Sequence, residues 1–211
     1  MAKSDTLKTK RLRLIPMTDE ALREALYTAR SPEEKRRYSE FYAMVRMYPT
    51  YRLWCTLWHI CRKSDGAAVG ELYFDGPAND RGEAALHCDI YPQYRGNGYA
   101  GEALTELLDW AWKDERTYFI RFVGEDPAIA ETLQKLGFLW ERGGYVLERP
   151  LKQRTRDLMS LGVSLGLLLG VFPLGDVTVG ILIGALAGAV IGSYFDAKDR
   201  RIREIIRQKR Q

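Results

Sequence analysis

Residues Gln93 to Ala103 read QYRGNGYAGEA, and this stretch constrains the fold of the chain most tightly. From Ala100 onward the apolar positions Ala100, Ala103, Leu104, Leu107, Leu108 and Ala111 recur at helical spacing, which predicts an amphipathic helix opening straight from a glycine turn. A helix N-terminus leaves backbone N–H groups without intrahelical partners and carries the positive end of the macrodipole. Gly96 and Gly98 have no side chain to keep an anion away from those groups, and Arg95 adds a full positive charge. The turn therefore predicts a phosphate-binding site.

The flanks decide what kind of phosphate site this is. Gly96, Gly98 and Gly101 mimic the dinucleotide fingerprint, but that motif needs a buried strand directly before its first glycine and a ribose-binding acid about 20 residues on, inside a βαβ unit. Here the strand from Ala84 to Tyr91 is followed by Pro92 and then Gln93. The pattern Q-x-x-G-x-G after a strand and a proline resembles the pyrophosphate-binding motif of the GNAT (Gcn5-related) N-acetyltransferases, and most of all their ribosomal-protein-acetylating branch. The competing account, a glycine turn that only packs a helix on a sheet, does not explain the flanks.

The order of elements in residues 7 to 149 extends the resemblance. LKTKRLRLIPMT reads as an opening strand, and Thr18 as the N-cap of a helix to about Arg30 with Asp19 and Glu20 in its first turn. Pro32 starts a second helix that must stop by Pro49. Ser64-Asp65-Gly66 joins strands Arg52–Arg62 and Ala67–Phe74 as a hairpin. Glu83–Tyr91 is the next strand, the motif helix runs to about Asp114, and Tyr118–Val123 is a strand after it. A helix over Ala128–Leu136 closes at Gly137, and Tyr145–Arg149 ends the domain as a strand. Hairpin strands first and crossover helices later predict an α/β domain over residues 1–151, a mixed, mostly antiparallel sheet flanked by helices.

The resemblance implies acetyl-CoA as acyl donor and an amine, such as a peptide N-terminus or a small molecule, as acceptor. It places the pyrophosphate against Gln93, Arg95, Gly96, Asn97, Gly98, Tyr99 and Ala100, and makes Ile90 and Tyr91 the backbone donors to the pantetheine and thioester carbonyl. Asp126 stands where many relatives place a cofactor-contacting Asn. The usual proton-handling positions depart from the pattern: Ala85 replaces a strand Glu, and Leu133 replaces a Tyr on the closing helix. An acceptor amine must be neutral to attack, so a base is still needed. Glu83 is the leading candidate, followed by Glu71 and Tyr145; His87 and Asp89 share a strand face with Glu83. The missing acid and base also admit an alternative, a non-catalytic acyl-CoA-binding membrane protein that oligomerises through its C-terminal hairpin.

That hairpin is the second informative region. Between Leu158 and Phe195 there is no Lys or Arg, Asp176 is the only acid, and Pro173 to Asp176 divide apolar stretches at about 158–172 and 177–195. At 19 residues the second stretch spans roughly 28 Å, against a hydrocarbon core of about 30 Å, and the first is marginal. Gly162, Gly166 and Gly170, then Gly180, Gly184, Gly188 and Gly192, each line one helix face. Such glycines weaken a helix in water but allow close backbone approach in lipid, the pattern of a glycine zipper that could also pair chains into a homo-oligomer. The prediction is a transmembrane helical hairpin over residues 152–211.

Charge supports the division. Residues 1–151 carry 22 basic and 23 acidic side chains, residues 152–211 carry 10 and 5, so the basic balance belongs to the flanks of the apolar hairpin. The positive-inside rule puts the catalytic domain and both hairpin ends in the cytoplasm, and anionic headgroups account for the basic tail without a specific nucleic acid. The polar N-terminus has no apolar core of a signal peptide. Cys55, His59 and Cys61 alternate along a predicted strand, but a straight strand spreads them over about 20 Å, too far for one ion, so no metal site is expected. Three cysteines fit a reducing compartment.

Overall fold

A computed structural model of the chain describes residues 5–124, 127–150, 154–171 and 176–210, which form two compact units, 1–149 and 150–211. The strands of the first unit are β1 (Leu7–Lys8), β2 (Leu12–Pro16), β3 (Trp58–Arg62), β4 (Ala68–Phe74), β5 (Glu83–Ile90), β6 (Phe119–Phe122), β7 (Leu139–Glu141) and β8 (Gly144–Glu148). Its helices are α1 (Asp19–Thr28), α2 (Pro32–Met47), α3 (Tyr99–Ala111) and α4 (Pro127–Lys135). The strands make one sheet in the order β1-β2-β3-β4-β5-β6-β8-β7. Every neighbouring pair is antiparallel except β5 and β6, which run parallel and are connected through α3. This is the mixed, mostly antiparallel sheet that the sequence predicts.

Local chemistry sets the helix ends. Thr18 Oγ1 accepts from Ala21 N–H at 3.1 Å and starts α1. Ser31 Oγ accepts from Glu34 N–H while the Glu34 carboxylate accepts from Arg30 N–H at 2.8 Å, so α2 opens on two satisfied donors with Pro32 in its first turn.

Three elements of the first unit differ from the sequence reading. The opening segment is two strands, because Thr9 and Leu12 close a tight turn: Thr9 N–H donates to Leu12 O, and Leu12 N–H donates to Thr9 Oγ1 at 2.8 Å. Residues Pro49–Trp54 form a 3-10 turn and β3 begins at Trp58, so Cys55 lies outside the strand that carries His59 and Cys61. Trp54 is pulled inward instead, where its ring meets Trp110 of α3 at 4.9 Å and Phe74 at 4.6 Å. Strand β7 is additional, turned into β8 through Arg142 and Gly143, both at positive φ.

Alternation along β4 and β5 gives the sheet two unlike faces. Leu72, Phe74, Leu86 and Ile90 are buried on the side of α3, where Ala103, Leu104, Leu107 and Ala111 are fully enclosed. Burying each such leucine is worth about 1.5–3 kcal/mol. Glu71, Tyr73, His87 and Asp89 lie on the other side, in register as Glu71↔Asp89 and Tyr73↔His87. Helix α2 covers part of that face, with Phe41 edge-on to Tyr73 at 5.0 Å and Arg37 paired with Glu71 at 2.5 Å.

The second unit contains α5 (Arg154–Leu169) and α6 (Val177–Arg210). They are antiparallel, and their backbones meet at the glycines. A Cβ on Gly162 would lie 2.1 Å from Gly184 O, one on Gly166 2.2 Å from Gly180 O, and one on Gly188 2.2 Å from Leu158 O. No other residue fits at that spacing. Asp196 closes the open end, accepting from the N–H groups of Arg154 (3.0 Å) and Thr155 (3.1 Å). Leu161, Leu165, Leu182, Leu186 and Val190 face outward and exposed. Helix α6 continues through the basic segment rather than ending near Phe195, and over Val177–Gln208 it is long and apolar enough to cross a membrane by length and composition. The expected break at Pro173 to Gly175 lies outside the described residues.

Candidate active site

The site begins at the N-terminus of α3. Gly98 is its N-cap at φ +74° and Gly96 stands at φ +77°, both in the left-handed region that side chains disfavour. A Cβ on Gly96 would meet nothing within 4 Å, so the space beside that residue is open. Asn97 points back into the turn, its Nδ2 donating to Tyr94 O (3.0 Å) and Arg95 O (3.2 Å). Arg95 Nε donates to Ile90 O at 2.9 Å and ties the turn to the end of β5. Gln93 is exposed in the preceding 3-10 turn, Tyr99 is buried, and Ala100 lines the adjoining cavity.

The brace beneath this turn was invisible in the sequence. Glu102, in the first turn of α3, accepts from Thr9 Oγ1 (2.5 Å), Arg11 N–H (2.7 Å) and Arg11 Nε (2.7 Å). Arg11 also donates to Asn97 O at 3.1 Å and lies over the Tyr99 ring at 4.9 Å. Burial disfavours the Glu102 carboxylate, but the bonds from Thr9 and Arg11 outweigh it and hold the group below the usual carboxylate range. A segment more than ninety residues upstream thus fixes the glycine turn.

From the turn a fork leads into the sheet. Leu86↔Phe122 is the last register pair between β5 and β6, and Val123 N–H donates to Leu86 O at 2.8 Å just beyond it. Ala85 O and Tyr91 N–H bond the opposite way, to Asp75 N–H (3.1 Å) and Val69 O (3.0 Å). Since amide direction alternates along a strand, Cys88 and Ile90 aim their N–H groups into the fork, as Leu86 aims its carbonyl. Of the two expected backbone donors, Ile90 faces the fork and Tyr91 is committed to β4. Cys88, which sequence reasoning passed over, is the other residue at this end of β5 whose N–H faces the fork.

A cavity of about 370 Å³ occupies the fork, lined by Cys88, Ile90, Phe122, Gly124 and Thr132 together with residues of the glycine turn. Its size and its mixed polar and apolar walls suit a small-molecule arm. Burial pushes the Cys88 thiol up to about 12, with Asp89 adding to the shift, so it is held neutral and is a poor nucleophile. Asp126 lies outside the described residues.

The candidate acid–base residues scatter. Glu83 is at the opposite end of β5 from Ile90, about 23 Å away along the strand, with its carboxylate 2.7 Å from Arg121 Nε. Tyr145, on β8, is opposite Phe122 and edge-on to Trp140 at 5.0 Å, one strand beyond the fork. Glu71 is buried against Arg37, directly across from Asp89. Asp89 is exposed and 3.3 Å from Arg95. His87 stacks on Tyr73 at 4.4 Å, and its Nε2 is 2.9 Å from Asp75 Oδ1. On β3, burial lowers the pKa of His59, and nearby Glu71 only partly restores it.

A parallel strand pair that forks above a helix N-terminus is the arrangement of an acyl-CoA-dependent acetyltransferase. Residues 11–139 match the family model of the acetyltransferase (GNAT) domain, and the chain belongs to that family. Among solved structures, RimL, a ribosomal L7/L12 alpha-N-protein acetyltransferase in complex with coenzyme A, aligns with a TM-score of 0.51 at 9% identity, covering 68% of this chain and 98% of that one. A ribosomal-protein-alanine acetyltransferase from Vibrio fischeri gives 0.49 at 14% identity, covering 64% and 84%. An acetyltransferase from Agrobacterium tumefaciens gives 0.49 at 19%, covering 71% and 96%. Identities this low speak to fold alone. No curated protein matches the chain.

Proposed function

We propose that residues 1–151 transfer the acetyl group of acetyl-CoA to an amine acceptor, and that residues 152–211 tether the enzyme to a membrane. The observation that carries the first part is the continuity of the fork with the glycine turn. Backbone N–H groups of Cys88 and Ile90 face a cavity that runs to the open amides of Gly96 to Ala100. The turn takes the pyrophosphate, with Arg95 adding charge; the fork takes the pantetheine arm; and the strand amides meet the negative charge that develops on the thioester oxygen. Acyl-CoA supplies the activated acetyl group, and the acceptor supplies the amine nitrogen.

The tether rests on the outer face of the hairpin. Its glycines are used up between α5 and α6, which leaves leucines and valines outward for lipid. Basic residues at both ends, Arg154 and Arg156 before it and Lys198, Arg200, Arg201 and Arg203 after it, favour a cytoplasmic location for the domain and both ends. On this reading the acceptor is an amine close to the membrane surface, and a second copy would meet the leucine face rather than the glycine seam.

Calorimetry on the full-length protein in detergent tests the donor. Acetyl-CoA should bind, and Gly96→Glu, which places a carboxylate over the open amides, should weaken binding by at least tenfold. Absence of binding by the unaltered protein would overturn the reading. Flotation with vesicles after an alkaline wash tests the tether, which is wrong if the protein stays with the soluble fraction.

A further inference from the structure

We propose that His87, held by Asp75 and Tyr73, is the group that takes the proton from the acceptor amine. The proposal rests on the acetyl-transfer reading and names its acid–base residue. The fork opens immediately after Leu86, so His87 is the first side chain of β5 beyond the last paired position. It projects to the face opposite α3, while Cys88 and Ile90 line the cavity on the α3 side. An acceptor that reaches an acyl group in the fork from that face, part of which α2 covers, passes His87.

The competing groups on that face are already engaged. Glu71 is bound by Arg37 at 2.5 Å and Asp89 faces Arg95 at 3.3 Å, so each carboxylate already holds a guanidinium. Asp75 carries its charge beside the imidazole: Nε2 is 2.9 Å from Oδ1, buried, and off the line of a good hydrogen bond. The charge nearest the ring is thus the Asp75 carboxylate, beside Nε2. The Tyr73 ring, nearly parallel at 9°, fixes the imidazole plane. The ring remains 21% exposed, enough to be reached.

The step balances without a co-reactant. His87 accepts one proton from the acceptor ammonium, and the freed nitrogen lone pair forms the C–N bond to the acetyl carbon. The C–S bond breaks, its electron pair leaves on sulfur, and the remaining amine proton reaches the thiolate. Ammonium and thioester become amide, thiol and one proton, which His87 returns to solvent.

The sequence holds two histidines, so imidazole NMR of the full-length protein in micelles resolves His87 once His59→Asn assigns the other. Coenzyme A should move the His87 signals. With a peptide bearing a free N-terminal serine as probe, His87→Gln should lower kcat by about 100-fold or more while KM for acetyl-CoA stays within twofold. Unmoved His87 signals on coenzyme A binding, or an unchanged kcat in His87→Gln, would overturn the proposal and leave acetyl transfer standing. Failure of the unaltered protein to bind acetyl-CoA would instead remove the reading on which it rests.

Discussion

The backbone N–H of Tyr91 donates to the carbonyl of Val69 at 3.0 Å, and this bond fixes the direction of the amides before it. Alternation then turns Ile90 and Cys88 toward β6, at the point where β6 has already diverged. One ladder bond in an antiparallel pair thereby decides which amides a ligand in the neighbouring parallel fork can use.

The close contact at Gly70 holds that geometry. A Cβ there would lie 2.4 Å from Asp89 O and 3.0 Å from Ile90 Cα. Gly70→Ala should push β4 from β5, cost about 2 kcal/mol in urea unfolding and weaken acetyl-CoA binding in the same variant. A normal midpoint with normal binding would show that the strands can part freely.

Gly98 separates conformation from contact. At φ +74° an alanine is strained, while its Cβ would stand 3.6 Å from an Arg11 nitrogen, an ordinary distance. Gly98→Ala should cost about 1 kcal/mol of stability by thermal or urea unfolding. A stabilised variant would contradict the left-handed N-cap.

The brace at Glu102 predicts a pH dependence. A carboxyl whose folded pKa is depressed contributes stability that is present above the unfolded carboxylate range and is lost as pH falls through the folded value. Arg11 is 46% exposed, so solvent screens its share and the contribution is modest, about 1 kcal/mol. Glu102→Gln should be less stable than the parent at pH 7, and the gap should narrow below about pH 4. An equal gap at pH 7 and pH 3 would place the effect in packing rather than charge.

The glycine seam of α5 and α6 gives a test confined to the hairpin. A side chain at Gly184 would begin 2.0 Å from Gly162 O, so Gly184→Leu must part the two helices. Hydrogen exchange in micelles should lose at least tenfold protection across residues 158–169, whereas Leu186→Ala, on the outer face, should leave it unchanged. Equal protection in both variants would mean the seam does not hold the pair.

What a sequence can state about this chain is local. Periodicity marked α3, capping residues marked α1 and α2, and two glycines followed by a helix marked the turn before α3, because each of those signals lies within a few residues of its effect. The misses are equally physical. The extra turn at Thr9 depends on a hydroxyl bonding Leu12, the 3-10 segment before β3 is drawn inward by Trp54 against Trp110, and β7 is a three-residue strand with no internal pattern.

The site divides the same way. The sequence alone determined the family of fold, the glycine turn that opens α3 and an apolar C-terminal stretch whose glycines recur at helical spacing. Only the tertiary structure decided which strand amides face the fork, that Thr9 and Arg11 hold the turn through Glu102, and that His87 rather than Glu83 follows directly on the last paired position of β5 and β6. Sequence spacing fixes which residues share a strand face, but which end of that face meets the ligand depends on where two strands part. That point is set by packing between segments far apart in the chain.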